Sequence, residues 1–312
     1  MKRTPLFQNP IFVTIVAIFC CALWGSATPL IKIGYGLMLP HQSVGSTLLF
    51  AGIRFFFAGI FVILCYSIYR KKLLVPKSGN WGKIVNVSMF QTVIQYVFFY
   101  IGVANTTGVK ATVISGSGTF SAILVACLVF RRERLTIRKM LACVIGFIGI
   151  LLIHINGMEW NINFLGDGFV LIATIAYGVS SSLMKQYSSY ENPVVISGYQ
   201  FMIGGILMML PGILLGGSVA VTSWQAGLVL AYLAILSAVA YSLWGILLKH
   251  NPVSRVAVFS FMIPVFGVLL SQALLRENSQ VSPVMLVLAL ALIGIGILIS
   301  VDFANGKEKT KE

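Results

Sequence analysis

The sequence predicts an all-α membrane protein with ten transmembrane helices, arranged as two inverted five-helix repeats. Three observations lead to this prediction. Of the 312 residues, 58% are hydrophobic and only 10% are charged, whereas a soluble chain carries about 25% charged residues. Apolar runs long enough to cross a bilayer follow one another along the chain. Similar short segments recur in the two halves, and the loops that flank them differ in charge.

Ten apolar runs are predicted to span the membrane, at 11–31, 47–69, 82–103, 110–130, 138–156, 167–186, 194–215, 226–248, 255–275 and 283–303. The first run resembles the core of a signal peptide, but it lacks a small-residue cleavage pattern and nine more runs follow, so it is expected to be retained. The uncharged stretch from Asn192 to Leu248 is too long for one span. Because Pro211-Gly212 and Gly216-Gly217-Ser218 would interrupt a helix, this stretch is assigned to two helices.

The basic residues predict that both chain ends lie in the cytoplasm. With the amino terminus inside, 18 of the 22 Lys and Arg residues fall on the cytoplasmic side, and the outer side keeps only Lys32, Arg54, Lys110 and Arg276. Two ends on one side require an even number of spans, which favours ten over nine. The predicted location is the cell membrane, with residues 304–312 as a cytoplasmic tail.

Three sets of matching residues indicate an internal repeat. Trp24 aligns with Tyr177 at a shift of 153 residues, and Tyr96 aligns with Tyr241 at a shift of 145. The other matches are Gly25 with Gly178, Lys32 with Lys185, Phe99 with Trp244, Lys110 with Arg255 and Glu133 with Glu277. The predicted repeats are residues 1–156 and 157–303.

The charge of equivalent loops predicts that the two repeats are inverted. Since five helices is an odd number, consecutive repeats enter the membrane in opposite senses. The loop after the second helix carries four basic residues between Arg70 and Lys77, whereas its counterpart at 216–225 carries no charge. Inverted repeats are the architecture of many secondary transporters, whose substrate binds near the bilayer midplane between the halves.

Four segments of the chain carry a family resemblance. They are Trp24-Gly25-Ser26 with Lys32 in the first helix, Gly166-Asp167 with Tyr177 and Lys185 in the sixth, Tyr241 and Trp244 followed by Ser254-Arg255 and Pro264 in the eighth and ninth, and the turns with Glu133 and Thr136 and with Glu277 and Ser282. In order and spacing these segments resemble the EamA family of the drug/metabolite transporter superfamily, over nearly the whole chain. The sequence departs from the family pattern at Pro264, which has no partner in the first half, and at Tyr177, where the family often has Trp.

The resemblance implies a fold and a function. It implies a central cavity lined by helices 1, 3, 4, 6, 8 and 9, with helices 5 and 10 more peripheral. It also implies export or exchange of small metabolites such as amino acids, without naming the substrate.

Polar and aromatic side chains within the spans are the candidates for substrate binding. Inside a bilayer a polar group costs free energy unless it is paired or faces water. The candidates are Trp24, Thr28, Gln91, Gln95, Tyr96, Ser117, Tyr177, Ser181, Tyr241 and Trp244. For all of them, packing between helices is the competing interpretation, especially for the small residues.

The candidates divide by chemistry. In the third helix Ser88, Gln91 and Gln95 fall on one face at helical spacing, and the two amides suit a zwitterion or an amide. The repeat-related aromatic residues suit stacking or cation–π contact with a substrate, with lipid contact as the alternative. The small polar stretch from Ser115 to Thr119, like its counterpart near Pro264, is predicted to weaken its helix and expose backbone groups.

The charged residues restrict the substrate class. All eight acidic residues lie in loops, tails or span ends, namely Glu133, Glu159, Asp167, Glu191, Glu277, Asp302, Glu308 and Glu312. A proton-driven exporter of cations normally needs a carboxylate at mid-membrane, so organic cations are disfavoured. Asp167 is expected to cap the sixth helix, and His154 is expected to pack rather than to relay protons.

Three basic residues lie inside or at the ends of spans. Arg54, Lys32 and Lys110 are expected to extend along the helix to the lipid headgroups. A role in attracting a substrate carboxylate stays open as the alternative.

The function predicted from the sequence is alternating-access transport of a small metabolite, with an amino acid or related zwitterion favoured. The alternative is a carrier of a lipid or polyprenyl-linked substrate. An enzyme is disfavoured because His41 and His250 lie in loops on opposite sides and no His or carboxylate cluster is present, so no catalytic residue, metal or cofactor is predicted. A channel is disfavoured by the inverted halves. The expected partners are the substrate and the lipid bilayer; nucleic acid is not expected, and a homodimer stays open.

Overall fold

The computed structural model describes residues 6–155, 161–275 and 282–300. Within these ranges nine helices are long and apolar enough to cross a membrane, and a tenth apolar helix is shorter. We number them α1 Pro10–Met38, α2 Val44–Arg70, α3 Ser78–Ala104, α4 Gly108–Val129, α5 Ile137–His154, α6 Phe164–Tyr187, α7 Pro193–Leu214, α8 Trp224–His250, α9 Val253–Leu274 and α10 Pro283–Ser300. The prediction of ten helices in an all-α membrane protein is confirmed. The predictions for Glu159, Arg276, the Glu277 turn and the tail 304–312 lie outside the described residues.

Local sequence chemistry sets the helix ends. The side chain of Asn9 accepts the N–H groups of Ile11 and Phe12, with Pro10 at the first helical position. Between α7 and α8, Gly216 has a φ of +69°, a left-handed conformation that glycine adopts without steric cost. The long uncharged stretch is therefore two helices, as predicted.

Three helices are irregular near their middle. α3 contains a π-helical turn at Met89–Ile94. α4 is interrupted at Ser117, and α9 contains a 3-10 turn at Val258–Phe261. Pro264 has no N–H to donate to the carbonyl of Ser260, so the α-helical hydrogen-bond ladder is lost there. The predicted weak points in α4 and near Pro264 are confirmed.

The helix packing is symmetric between the halves. If two helices pack on each other, their counterparts in the other half also pack on each other. α2 packs on α7, and α5 packs on α10. α1 packs on α8 and α9, while its counterpart α6 packs on α3 and α4. This pattern is what a two-fold relation between the halves produces. We call the two groups the 1–8–9 bundle and the 3–4–6 bundle.

Glycine allows α2 and α7 to touch through their backbones. A Cβ atom at Gly52 would lie 2.8 Å from the carbonyl oxygen of Gly205, and one at Gly59 would lie 2.5 Å from that of Gly198. Each helix repeats glycine every seventh residue, so the contact continues along the pair. The glycines of the two helices also align with each other at the repeat shift of 153 residues. They are Gly45, Gly52 and Gly59 in α2 and Gly198, Gly205 and Gly212 in α7.

The outer surface of the helices is apolar. On α1, for example, Ile11, Ile15 and Phe19 are 65%, 61% and 49% exposed and lie one helical turn apart. An exposed apolar stripe of this kind faces lipid. We call the membrane face at which α1 begins the N face, and the opposite one the far face.

Candidate functional site

Three of the predicted aromatic residues lie in contact where α1 crosses α8. The ring centroids of Trp24 and Tyr241 are 5.0 Å apart, and those of Trp24 and Trp244 are also 5.0 Å apart, both in edge-to-face geometry. Tyr241 and Trp244 are 6% and 3% exposed. The indole nitrogens of both tryptophans are buried; that of Trp24 has no hydrogen-bond partner among the described residues, and that of Trp244 lies near the Tyr177 hydroxyl. A ligand beside Trp24 would satisfy its donor.

Two repeat-related tyrosines meet each other between the bundles. The hydroxyl oxygens of Tyr96 in α3 and Tyr241 in α8 are 2.6 Å apart, within hydrogen-bond distance. Residues at equivalent positions of two halves approach each other only near the axis that relates the halves. The tyrosine pair therefore marks the centre of the fold, where the resemblance implies a cavity.

Tyr177 lies next to the same centre from the side of α6. A Cβ atom at Gly118 would lie 3.4 Å from the Tyr177 ring, so the interrupted part of α4 packs against it. The Tyr177 hydroxyl is close to Ser181 and to Trp244. The hydroxyl of Ser117 instead donates to the carbonyl of Ile114, 2.6 Å away, within its own helix. Tyr177 thus joins the cluster, while Ser117 contributes through the helix interruption.

Part of the polar surface of α3 is bonded to α7. Ser88 donates to the carbonyl of Gln200 on α7 at 2.9 Å, and Thr92 donates to the Gln200 side chain at 2.7 Å. The π-helical turn after Ser88 changes the number of residues per turn, so the α-helical spacing used for the prediction does not hold. The prediction that Ser88, Gln91 and Gln95 share one face stays a prediction, and Ser88 is bonded to α7. The carbonyl oxygens of both Gln91 and Gln95 side chains are buried without a described partner.

Arg54 is buried, so the prediction that it extends to the headgroups is wrong. Only 4% of the residue is exposed. Its guanidinium carbon lies 4.4 Å from the ring centroid of Phe55, and it interacts electrostatically with Tyr35, Tyr96 and Tyr241. The neighbouring α1, α3 and α8 cover this part of α2 and leave the side chain no route to the lipid surface.

Lys110 is also buried, and the corresponding prediction is wrong. Its Nζ lies 2.6 Å from Oδ2 of Asp167, which joins α4 to α6 near the far face. Asp167 also accepts hydrogen bonds from Thr106 and from the N–H of Asn163. The side chain of Asn163 also caps α6, because its oxygen accepts the N–H of Leu165. Asp167 accepts a backbone N–H at the start of α6, as expected, but it shares the capping with Asn163. Lys32 is exposed, as expected.

Replacing Lys110 with Met is expected to lower the free energy of unfolding by about 2 kcal/mol, because the partly buried Asp167 carboxylate loses its charged partner and keeps only the bonds from Thr106 and Asn163. Thermal unfolding of the purified protein in detergent measures this. The double variant Lys110→Met/Asp167→Asn should recover much of the loss. If the double variant is as unstable as the sum of both single variants, the pair is not coupled.

Repeat-related residues near the centre differ in exposure. Thr28 in α1 is exposed, whereas its counterpart Ser181 in α6 is 4% exposed. Thr28 lies nine residues after Phe19, about two and a half helical turns, and therefore on the side of α1 opposite to the lipid stripe. Phe99 in the first half is likewise more exposed than its counterpart Trp244, which is 3% exposed. The half of the centre toward the far face is thus more open than the half toward the N face.

Polar contacts join the two bundles near the N face. The Glu133 carboxylate, after α4, accepts hydrogen bonds from the N–H groups of Val253 and Ser254 at the start of α9, and its oxygen lies 3.1 Å from Nζ of Lys139. Deeper in the membrane, Thr119 and Ser260 join the irregular parts of α4 and α9 at 2.8 Å. These contacts close the N-face side of the centre.

Glu191 supports the same face from outside the spans. Burial alone would raise the pKa of its carboxyl. The carboxylate accepts hydrogen bonds from the N–H groups of Lys77 and Asn192 and from the Asn80 amide. These bonds more than offset burial, so the pKa lies below its usual value. The carboxylate therefore stays charged near neutral pH and ties the loop after α2 to the loop after α6.

Sequence reasoning missed several residues of this centre. The ring of Phe55 stacks on that of Phe201 at 5.1 Å, and Phe201 in turn contacts Tyr241 at 4.9 Å. Tyr35 lies near Arg54 and is hydrogen-bonded to Tyr100. None of these residues has a distinguishing local pattern, but an intramembrane Arg surrounded by aromatic residues in neighbouring helices was a usable signal.

Comparison with known proteins assigns the family. The family described as "EamA-like transporter family" matches the chain twice, at residues 11–155 and at residues 164–301. The chain belongs to this family. It is therefore a multi-pass membrane transporter and not an enzyme, with a small molecule as its substrate.

Individual relatives agree with this assignment. A protein of Archaeoglobus fulgidus named an uncharacterized transporter is 27% identical over 84% of this chain and 90% of its own length. A protein of Salmonella typhimurium named a probable amino-acid metabolite efflux pump is 25% identical over 84% of this chain and 87% of its own length. One solved crystal structure superposes on this EamA-like transporter with a TM-score of 0.74 at 17% identity, covering 94% of this chain and 99% of that one, which supports the fold alone.

Proposed function

We propose that this transporter exports or exchanges an amino acid or related zwitterion by alternating access. Two relatives support the substrate class, since proteins of Salmonella typhimurium and Escherichia coli, each 25% identical, are named as probable amino-acid metabolite efflux pumps. The transporter would act in the cell membrane with both chain ends in the cytoplasm, as the distribution of basic residues favours.

The observation that carries the proposal is the unequal burial of repeat-related residues around the tyrosine pair. Thr28, on the far-face side of the pair, is exposed, while Ser181, on the N-face side, is 4% exposed. In an inverted repeat, exchanging the conformations of the halves yields a second state of similar energy in which the opposite half is open. A substrate that binds at the centre of both states is then released on either side.

The proposed substrate-binding residues have distinct roles. Trp24, Tyr177, Tyr241 and Trp244 would hold the ammonium group or an apolar side chain by cation–π and stacking contacts. The amides of Gln91 and Gln95 would orient polar groups. Tyr96 would bind with Tyr241 at the axis, Thr28 and Ser181 would line the two approaches, and Ser117 would keep α4 able to bend.

Counterflow in proteoliposomes tests the proposal. Liposomes loaded with an excess of one unlabelled compound are diluted into a solution of the same compound carrying a label. The experiment is repeated for each member of a panel of amino acids and nucleosides. We expect label to accumulate transiently for at least one amino acid and not in protein-free liposomes. If only a phospholipid or a polyprenyl phosphate competes with uptake, or if no member of the panel exchanges, the amino-acid proposal is wrong.

Gln95→Leu is expected to reduce counterflow about tenfold while leaving expression and thermal unfolding unchanged, because the Gln95 carbonyl has no described partner to lose. Gln200→Leu provides the contrast. Because Gln200 accepts the hydrogen bond from Thr92, this substitution should lower the unfolding temperature. Unchanged counterflow in Gln95→Leu would assign Gln95 to packing.

A further inference from the structure

We propose that Arg54 binds the carboxylate of the transported substrate. This inference deepens the proposed function by assigning one residue to one chemical group, and it rests on that function. It also starts from a different observation, which is a buried guanidinium without a counter-charge.

Arg54 lies deep within the membrane. It is the eleventh residue of α2, about 15 Å along the helix from its far-face end, and the hydrocarbon core is about 30 Å thick. A guanidinium stays protonated in any protein environment. An ionisable residue at this depth is costly, and it is retained where it serves binding or transport.

The described residues satisfy the guanidinium only in part. Its face is covered by the Phe55 ring at 4.4 Å. Tyr35, Tyr96 and Tyr241 interact with it through their hydroxyl groups, which are neutral. Two of its nitrogens, Nε and Nη1, are buried and have no hydrogen-bond partner among the described residues. Unpaired N–H groups therefore remain on a full positive charge.

Every described carboxylate already has its own partners at a membrane face. Glu133 binds the start of α9, Asp167 binds Lys110, and Glu191 binds the loop after α2. The other acidic residues of the chain lie outside the spans in the sequence. The counter-charge of Arg54 must then come from a molecule other than the described part of the chain.

The geometry favours a carboxylate as that counter-charge. The guanidinium has a planar fork of donors that matches the two oxygens of a carboxylate. The Tyr96–Tyr241 hydroxyl pair lies beside the guanidinium, and Tyr241 contacts Trp24, so the ammonium and side chain of a zwitterion bound to Arg54 would lie near aromatic rings. The position is specific to the first half, because the repeat-equivalent residue at a shift of 153 is Leu207.

Arg54→Leu is the informative variant, since the other half of the fold carries Leu at the equivalent position. Leu removes an uncompensated buried charge, so the ligand-free unfolding temperature is expected to stay the same or rise. A purely structural arginine would give a fall. Arg54→Lys keeps the charge without the fork and is expected to retain partial binding.

Two paired probes report binding without requiring transport. L-Leucine and L-phenylalanine are compared with isoamylamine and phenethylamine, which lack only the carboxylate, at equal chloride concentration. We expect the amino acids to raise the unfolding temperature of the wild-type protein by about 3 °C and the amines to have no effect. Arg54→Leu should lose the response to the amino acids.

Counterflow completes the test. Arg54→Leu is expected to lower amino-acid exchange at least 100-fold, because a site built to bind a group loses most of its affinity when the pairing is removed. If wild type exchanges an amino acid and Arg54→Leu exchanges it equally, the inference is overturned while the proposed function stands. If wild type exchanges nothing but carboxylates stabilise it through Arg54, the proposed function fails, and Arg54 is a carboxylate-binding residue whose ligand is not transported. If neither amino acid stabilises wild type more than its amine, the inference is wrong.

Discussion

Gly205→Leu is expected to abolish the folded protein. A Cβ atom at this position would lie 2.6 Å from the backbone nitrogen of Phe56 and 2.7 Å from the carbonyl oxygen of Gly52, so the clash involves backbone that cannot rotate away. Separating α2 from α7 would also part the two halves of the fold. Overpacking of this kind costs about 3 kcal/mol or more. Size-exclusion chromatography in detergent should show aggregated protein in place of a monodisperse peak.

Gly294→Leu is the matched control. Gly294 also lies in a membrane-spanning helix, α10, but a Cβ atom there meets nothing within 4 Å. We expect this variant to elute as wild type and to unfold within about 0.5 kcal/mol of it. A monodisperse peak for Gly205→Leu with a wild-type unfolding temperature would contradict the close packing of α2 on α7.

Glu133→Ala is expected to lower the free energy of unfolding by about 3 kcal/mol and to loosen the N face. The change leaves Lys139 and the N–H groups of Val253 and Ser254 without their charged partner. A cysteine introduced at Ser181, which is 4% exposed, should then react faster with an impermeant maleimide applied from the N face. The background protein lacks the five native cysteines.

Glu133→Gln separates charge from shape in the same region. The amide oxygen still accepts backbone N–H groups, but it gives up the ionic part of the interaction. We expect an intermediate loss of stability and an intermediate labelling rate. Labelling of the Ser181 cysteine at the wild-type rate in Glu133→Ala would mean that Glu133 does not hold the N face closed.

The number and order of helices were predictable because each depends on local sequence. Apolar runs of sufficient length lie between charged or glycine-rich segments, and breakers such as Gly216 act on the backbone at their own position. The helix interruption at Ser117 is equally local. Repeat matches such as Tyr96 with Tyr241 followed from the sequence alone, and the two residues meet in the structure.

The environment of the charged residues was not predictable, since it depends on how helices rotate against one another. Lys110 lies near a helix end, from which its side chain could reach the headgroups, whereas Arg54 lies about 15 Å from the end of α2. In both cases the packing of neighbouring helices buries the side chain. Asp167 was correctly placed at the start of α6, but its charge pairs with Lys110 across two helices. The π-helical turn in α3 was similarly not predictable, and it changes the α-helical spacing on which the predicted face of Ser88, Gln91 and Gln95 rests.

One signal in the sequence was overlooked. The glycines of α2 and α7 recur every seventh residue and align at the same 153-residue shift as Trp24 and Tyr177. A small residue at regular spacing in two repeat-related helices indicates that those helices pack on each other. Combined with the inverted repeat, this pattern would have predicted the α2–α7 contact.

Labelling of two repeat-related positions from both faces tests alternating access most directly. Single cysteines replace Thr28 and Ser181 in the cysteine-free protein, reconstituted in oriented proteoliposomes. Without ligand, the cysteine at Thr28 should react from the far face and the one at Ser181 should be protected. Under exchange conditions, Ser181 should become reactive from the N face while Thr28 becomes protected. Reaction of both cysteines from the same face, or a pattern that no exchanged compound changes, would contradict the account.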